Sequence, residues 1–195
     1  MIEETAVDTR IRTTPANPME IWHTEHAYFK RLLDLLHHEV VVFETGQRPN
    51  YELMENILSY LRNYSDRFHH PREDVAFACL EEHCPDLAPT LKQLRQEHRV
   101  IANAGEKLLA QLEAILDEAI LTRTEVEAAA ATYLVYYRNH IDREEREILT
   151  RAEHTLTQED WEEVNIAVPA GPDPLFGANP EQHYRDLRRQ IALET

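Results

Sequence analysis

The chain is 195 residues long, enough for one domain with an extension, and its formal net charge is −16. So acidic a chain is repelled by phosphate backbones and by anionic lipid, which argues against nucleic acid and membrane as partners. Only 4 glycines are present, two cysteines are too few for a disulfide framework, and 11 histidines stand out.

Residues 1–17 read as a polar arm, and Met1 to Arg10 carries no apolar segment after a basic start. No apolar run approaches the roughly 20 residues that span a bilayer. With the reduced cysteines, this predicts a cytoplasmic protein. Asn17-Pro18 has the form of an N-cap followed by proline at the first helical position. A first long helix follows, with Ile21, Phe29, Leu32, Leu33, Leu36 and Val40 at helical spacing, stopping near Thr45-Gly46. Asn50 is placed to cap a second helix carrying Leu53, Ile57, Leu58, Leu61, Tyr64, Phe68 and Leu80, which ends before Pro85. Asp86 is the expected cap of a third helix, with Leu87, Leu91, Leu94, Ile101, Leu108, Leu112, Ile115 and Leu116 on its stripe. Thr124 and Glu127 have the spacing of a capping box for a fourth, which carries Val126, Ala130, Tyr133, Leu134, Tyr137, Ile141 and Ile148 and runs to about Ala152.

Four long amphipathic helices with short connections predict an all-α fold, an antiparallel up-down four-helix bundle over residues 18–153. Residues 154–195 form a C-terminal extension. In it, Thr157 with Asp160 predicts a short helix around Trp161, and Val168 to Pro180, with four prolines and two glycines, reads as a packed-down loop. A last short helix is expected at Glu181–Leu193. Two roles for the extension stay open: a cap on this bundle, or a surface for a second copy in a homodimer. There is no glycine-rich phosphate loop, no G-x-S-x-G and no C-x-x-C, so nucleotide binding and serine hydrolysis have no support.

The informative feature is an internal repeat. Glu25-His26 on the first helix is followed by Arg67-Phe68-His69-His70-Pro71-Arg72-Glu73-Asp74 on the second. Glu97-His98 on the third is followed by Arg138-Asn139-His140-Ile141-Asp142-Arg143-Glu144-Glu145 on the fourth. Both octets read R-x-H-x-x-R-E-[DE]. His26 precedes His69 by 43 residues and His98 precedes His140 by 42. Residues i and i+4 share a helix face, so His69 with Glu73 and His140 with Glu144 are neighbouring pairs. In an up-down bundle all four helices then project donors into one core layer. Four imidazoles (His26, His69, His98, His140) and two carboxylates (Glu73, Glu144) suffice for two metal ions, the carboxylates bridging. Iron, zinc and manganese all suit this donor set.

The flanking residues test this. Tyr133, Tyr136 and Tyr137 share the face of the fourth-helix pair, and Ser65 and Phe77 that of the second-helix pair, so both pairs sit on core-facing stripes. Burying Glu73 and Glu144 unpartnered would cost several kcal/mol each, and a cation removes that cost. Pro71, between His69 and Glu73, deletes a backbone hydrogen bond and predicts a kink at the site. One H-x-x-x-E alone is usually a surface ion-pair face. The duplication is what lifts these two above it.

The repeated H-x-x-x-E pairs, each with a lone histidine on the preceding helix, resemble the hemerythrin-like family, the HHE cation-binding domain, over roughly residues 18–152. His69-His70-Pro71-Arg72-Glu73-Asp74 is close to its signature. The resemblance implies a four-helix bundle with a non-haem di-iron centre: two iron ions with an oxo or hydroxo bridge. His26, His69, His98 and His140 would be terminal ligands, and Glu73 and Glu144 bridges. The chain departs from oxygen-carrying hemerythrins at Ala102, where they place a further histidine, and at Glu145, where they place an aspartate. The four-histidine, two-glutamate set is similar to the branch that includes the bacterial repair-of-iron-centres proteins, whose cysteine-bearing N-terminal domain has no counterpart here. Fewer ligands leave more open positions, which favours reaction with, or sensing of, a small diatomic ligand (dioxygen, nitric oxide or peroxide) over reversible oxygen storage. A different class of function is a structural zinc bundle serving as an interaction or signalling module.

Other titratable residues receive lesser roles. His23 reads as an outer or surface residue, His37 and His38 as neighbours of a helix end, and His70 as facing outward. Arg67, Arg72, Arg138 and Arg143 are expected to pair with nearby carboxylates. Asp74 and Glu145 are alternative ligands by a one-residue shift. Cys79 reads as a small core residue, and Cys79 and Cys84, five apart, are poorly spaced for a pair.

Overall fold

A computed structural model describes residues 18–193; the predicted arm at 1–17, with the Asn17 cap, lies outside the described residues. The described residues are helical, without a strand. Helix α1 spans Pro18–Glu44. The second long stretch joins α2 (Tyr51–Tyr60), a π-helical segment (Leu61–His69) and α3 (His70–His83). Helix α4 spans Ala88–Leu116. The fourth stretch joins α5 (Arg123–Arg143), a π-helical segment (Glu144–Ile148) and α6 (Leu149–Thr155). The extension holds α7 (Gln158–Ala167), a 3₁₀ turn (Gln182–Tyr184) and α8 (Arg185–Leu193). Helix α1 packs on α2 and α5, and α4 on α2, α3 and α5, giving a helical bundle. No helix among the described residues is long and apolar enough to cross a membrane.

The ends follow local chemistry. Gly46 takes φ +82°, a left-handed position that ends α1, and Gln47 N–H reaches back to the Val42 carbonyl. Asn50 caps α2 by accepting from Leu53 N–H at 3.0 Å. Thr157 and Asp160 form the expected capping box of α7. Two expected caps are corrected. Pro85–Leu87 forms a 3₁₀ turn and α4 begins at Ala88 without a side-chain cap, so Asp86 does not cap it. Helix α5 begins one residue before Thr124, and Thr122 Oγ1 donates to Glu125 at 2.6 Å instead.

The core has two apolar clusters. One gathers Phe29, Leu32, Ile57, Leu108, Leu112 and Tyr137; the other gathers Trp22, Phe77, Leu80, Leu94, Ile148 and Val164. On each long stretch the repeat's polar residues fall between members of the two clusters. A polar layer therefore divides the core. Four residues expected on buried stripes are exposed instead: Ile21, Phe68, Leu116 and Tyr136. Phe68 lies in the π segment, whose wider turn rotates it outward, toward Gly171 of the extension.

The extension packs on the bundle. Trp161 meets Trp22 edge to face at 5.3 Å. Arg72 donates to the Val168 carbonyl and the Asn165 side chain rather than to a carboxylate. Phe176 stacks on Tyr28 at 3.9 Å, and Tyr60 O–H donates to Asp173 at 2.9 Å. Leu175 and Leu187 are buried.

Gly105 lets α4 approach α5: a Cβ there would meet the Tyr133 ring at 2.8 Å. Gly105→Ala should therefore destabilise by about 1–2 kcal/mol net, overpacking outweighing the roughly 1 kcal/mol helix gain. A thermal melt checks it, with metal content expected to hold; a raised Tm would contradict it.

Candidate metal centre

The six residues of the repeat converge. His26, His69, Glu73, His98, His140 and Glu144 are all buried, both glutamates at 0 % exposure. Each imidazole presents Nε2 to the centre because Nδ1 is engaged outside it. His26 Nδ1–H donates to Glu145 at 2.8 Å, His69 Nδ1–H to Glu25 at 2.7 Å, His98 Nδ1–H to Asp74 at 2.8 Å and His140 Nδ1–H to Glu97 at 3.3 Å. An imidazole held this way keeps its Nε2 lone pair for a cation.

The two carboxylates lie across the middle. Glu73 Oε1 is 3.3 Å from His26 Nε2 and 3.1 Å from His69 Nε2, while its Oε2 is 3.5 Å from His98 Nε2. Glu144 Oε2 is 3.5 Å from His26 Nε2, while its Oε1 is 3.1 Å from His140 Nε2 and 3.6 Å from His98 Nε2. Each glutamate thus gives one oxygen to the His26/His69 end and one to the His98/His140 end. His26 Nε2 and His69 Nε2 are 3.0 Å apart. Two imidazole nitrogens about 2.1 Å from one cation, at right angles, would be spaced about 3.0 Å.

The carboxylate–imidazole distances are not hydrogen bonds. Both oxygens of Glu73 and of Glu144, with His98 Nε2 and His140 Nε2, are buried without a hydrogen-bond partner. Six such orphans in one layer would be a heavy cost in a finished core, and cations are what the geometry fits. Two donor groups are within reach of a single ion: His26, His69 and Glu73; and His70, Glu73, His98 and His140.

The histidines and glutamates of the layer also set one another's charge. Burial alone would raise the Glu73 carboxyl, but His69, His26 and His98 hold it well below the usual range. Burial and Glu73 push Glu144 up, yet His140 and His98 bring it down. Burial pulls the His69 ring down, and Glu73 and Glu25 outweigh it, raising it to about 10. His70 goes the other way: burial and the neighbouring His98 press it down to about 4. The sign of the pH dependence follows. The depressed carboxylates stabilise fully above their ordinary 4.5, and this is lost as pH falls below it. The raised His69 stabilises fully below its ordinary 6.5, and this is lost as pH rises toward about 10. His70, neutral when folded, disfavours the fold as pH falls below 6.5. Because His26, His98 and His140 are raised as His69 is, metal-free protein should lose stability as pH rises, with a lower urea midpoint at pH 9 than at pH 6.5. A midpoint still rising at pH 9 would contradict this.

The outer carboxylates were only partly readable beforehand. Asp74 and Glu145, expected as alternative ligands, serve His98 and His26 through Nδ1. Glu25 and Glu97 had no assigned role, although the repeated Glu-His dipeptide carried the signal. Three of the four carboxylates are themselves held: Glu25 by Tyr64 O–H at 2.6 Å, Glu97 by Arg143 at 2.9 Å and Glu145 by His23 at 2.8 Å. Arg138 instead pairs with Asp34. Cys79 and Cys84 are buried and free.

His70 requires a correction: it is 4 % exposed and faces inward. The cause is the π segment. Pro71 has no N–H to give the Arg67 carbonyl, and His70 N–H reaches back to Ser65. The helix widens there into the π segment, and the wider turn brings His69, His70 and Glu73 to the buried side. The second π segment begins at Glu144, without a proline or glycine to mark it.

The family model described as Hemerythrin HHE cation binding domain matches residues 17–152, which include all six converging residues. No curated protein and no solved structure matches.

Proposed function

The chain belongs to the hemerythrin HHE cation-binding domain family, and from that premise we propose that it carries a non-haem di-iron centre that binds or reacts with a small diatomic ligand. His26 and His69 would hold one ion, His98 and His140 the other, with Glu73 and Glu144 shared between them. Iron in such a site would supply a redox-active Lewis acid with open positions for a small ligand. The chain's own residues do the rest. The four outer carboxylates fix the imidazole tautomers. The two apolar clusters on either side keep bulk water from the layer.

The observation that carries this reading is the set of six buried donor atoms without hydrogen-bond partners. Sensing, detoxification and repair of iron centres are uses that such chemistry would serve. The test is metal content per chain after purification without oxygen or chelator, with an absorption spectrum before and after air. Near two irons per chain and new near-ultraviolet and visible bands on oxidation are expected. A colourless protein holding zinc would overturn the reading and leave a structural metal bundle, an interaction or signalling module, in its place.

A further inference from the structure

The two ends of the centre have different walls. At the His26/His69 end the Phe29 ring meets His69 edge-on at 4.9 Å and Trp22 lies at 6.1 Å, while Phe77 lies 6.0 Å from His98 at the other. At the His98/His140 end there is a buried polar cluster with no part in the ligand set. Ser65, His70 and Tyr137 are each buried. Ser65 Oγ is 3.2 Å from His70 Nε2 and is also hydrogen-bonded to the Tyr137 hydroxyl. His70 Nδ1 faces the Asp66 carboxylate at 3.3 Å.

His70 is close enough to count as a ligand but is badly oriented for it. A ring nitrogen lies within 4.8 Å of donor atoms of Glu73, His98 and His140. Its ring, however, is stacked on His98, with centroids 4.3 Å apart and planes 11° from parallel. An imidazole lone pair lies in the ring plane, so two stacked rings do not aim at one ion. His70 therefore flanks the His98/His140 end rather than joining its donors. Tyr137 stands beside it, with ring centroids 5.6 Å apart.

A buried polar cluster is costly unless its groups are satisfied, and this one sits where apolar packing would have served the fold. Its hydrogen bonds are also reversible. Serine and tyrosine hydroxyls can each donate or accept. With Tyr137 donating to Ser65, the run ends at Asp66. With the His70 hydrogen on Nε2 and donated to Ser65, Ser65 donates to Tyr137 and the phenolic hydrogen is free to turn to another acceptor.

Resting on the di-iron reading, we propose that Ser65, His70 and Tyr137 form the hydrogen-bonding wall of the ligand pocket at the His98/His140 end. They would select small anions and polar diatomic ligands that accept a hydrogen bond. The wall sets specificity, and the apolar Phe29 and Trp22 make the opposite end the poorer one for such ligands.

The test uses azide with the full-length, air-oxidised, iron-loaded protein, reading the azide-dependent visible band together with iron content. Tyr137→Phe and Ser65→Ala should keep two irons per chain and weaken azide binding about tenfold, the effect of one lost hydrogen bond to a charged group, with a shifted band. Ser65→Ala is the smaller change and keeps the test valid should Tyr137→Phe fold poorly. Variants that retain both irons and bind azide as the parent does would overturn the proposal. So would an iron-loaded parent that takes up no azide. A parent without the iron pair would overturn the di-iron reading itself, which the iron count separates from the other two results.

Discussion

Glu73→Ala or Glu144→Ala should reduce the metal content from two ions per chain to one or none. Each carboxylate gives an oxygen to both ends of the centre, so neither loss is confined to one ion. Outer-sphere partners of metal ligands are worth about 10–100-fold in affinity, and a shared inner carboxylate should exceed roughly 100-fold. The loss also removes one of the two inner carboxylates whose negative charge would offset the cations. Glu73→Gln and Glu144→Gln keep the shape while removing the charge, and they separate a metal effect from a folding effect. Metal analysis after dialysis, alongside helical circular dichroism, is the measurement. Unchanged stoichiometry in a folded Glu73→Ala protein would remove these residues from the site.

Stripping the metal should cost more stability than Gly105→Ala does. A ligand at a thousand times its Kd stabilises by about 4.1 kcal/mol, so two ions contribute about 8 kcal/mol. For a chain of this size each kcal/mol corresponds to roughly 2–4 °C, giving a fall in Tm of about 15–30 °C. The metal-free protein must still bury Glu73 and Glu144 with the oxygens that lack hydrogen-bond partners. Calorimetry of metal-free and reconstituted protein decides it, and coincident transitions would mean that nothing of consequence binds there.

How much of this was legible differs from residue to residue. The four long helical stretches follow from apolar spacing and from Gly46, Asn50 and the prolines, because these act within one or two turns of chain. The caps at Asp86 and Thr124 were misplaced because several polar residues near each helix start can compete, and a one- or two-residue shift costs little. Ile21, Phe68, Leu116 and Tyr136 look like core residues by periodicity. Phe68 is turned out by the π segment, and the other three lie where no neighbouring helix among the described residues covers the stripe.

The six converging residues were visible in the sequence because the information lies in one dimension. The i, i+4 spacing fixes a shared face, and the near-equal 43- and 42-residue offsets fix a shared level. What the sequence could not decide is rotation about the helix axes and the contacts made between helices. The pairing of Glu25 with His69, and of Glu145 with His26 across 119 residues, depends on how four cylinders are turned against one another. His70 depends on a π turn that Pro71 prompts but does not specify. The sequence by itself determined the helices and the six residues that converge. Only the tertiary structure decided which carboxylate holds which imidazole, and that the two ends of the layer have unlike walls, because helix rotation responds to packing over the whole core rather than to any local run of residues.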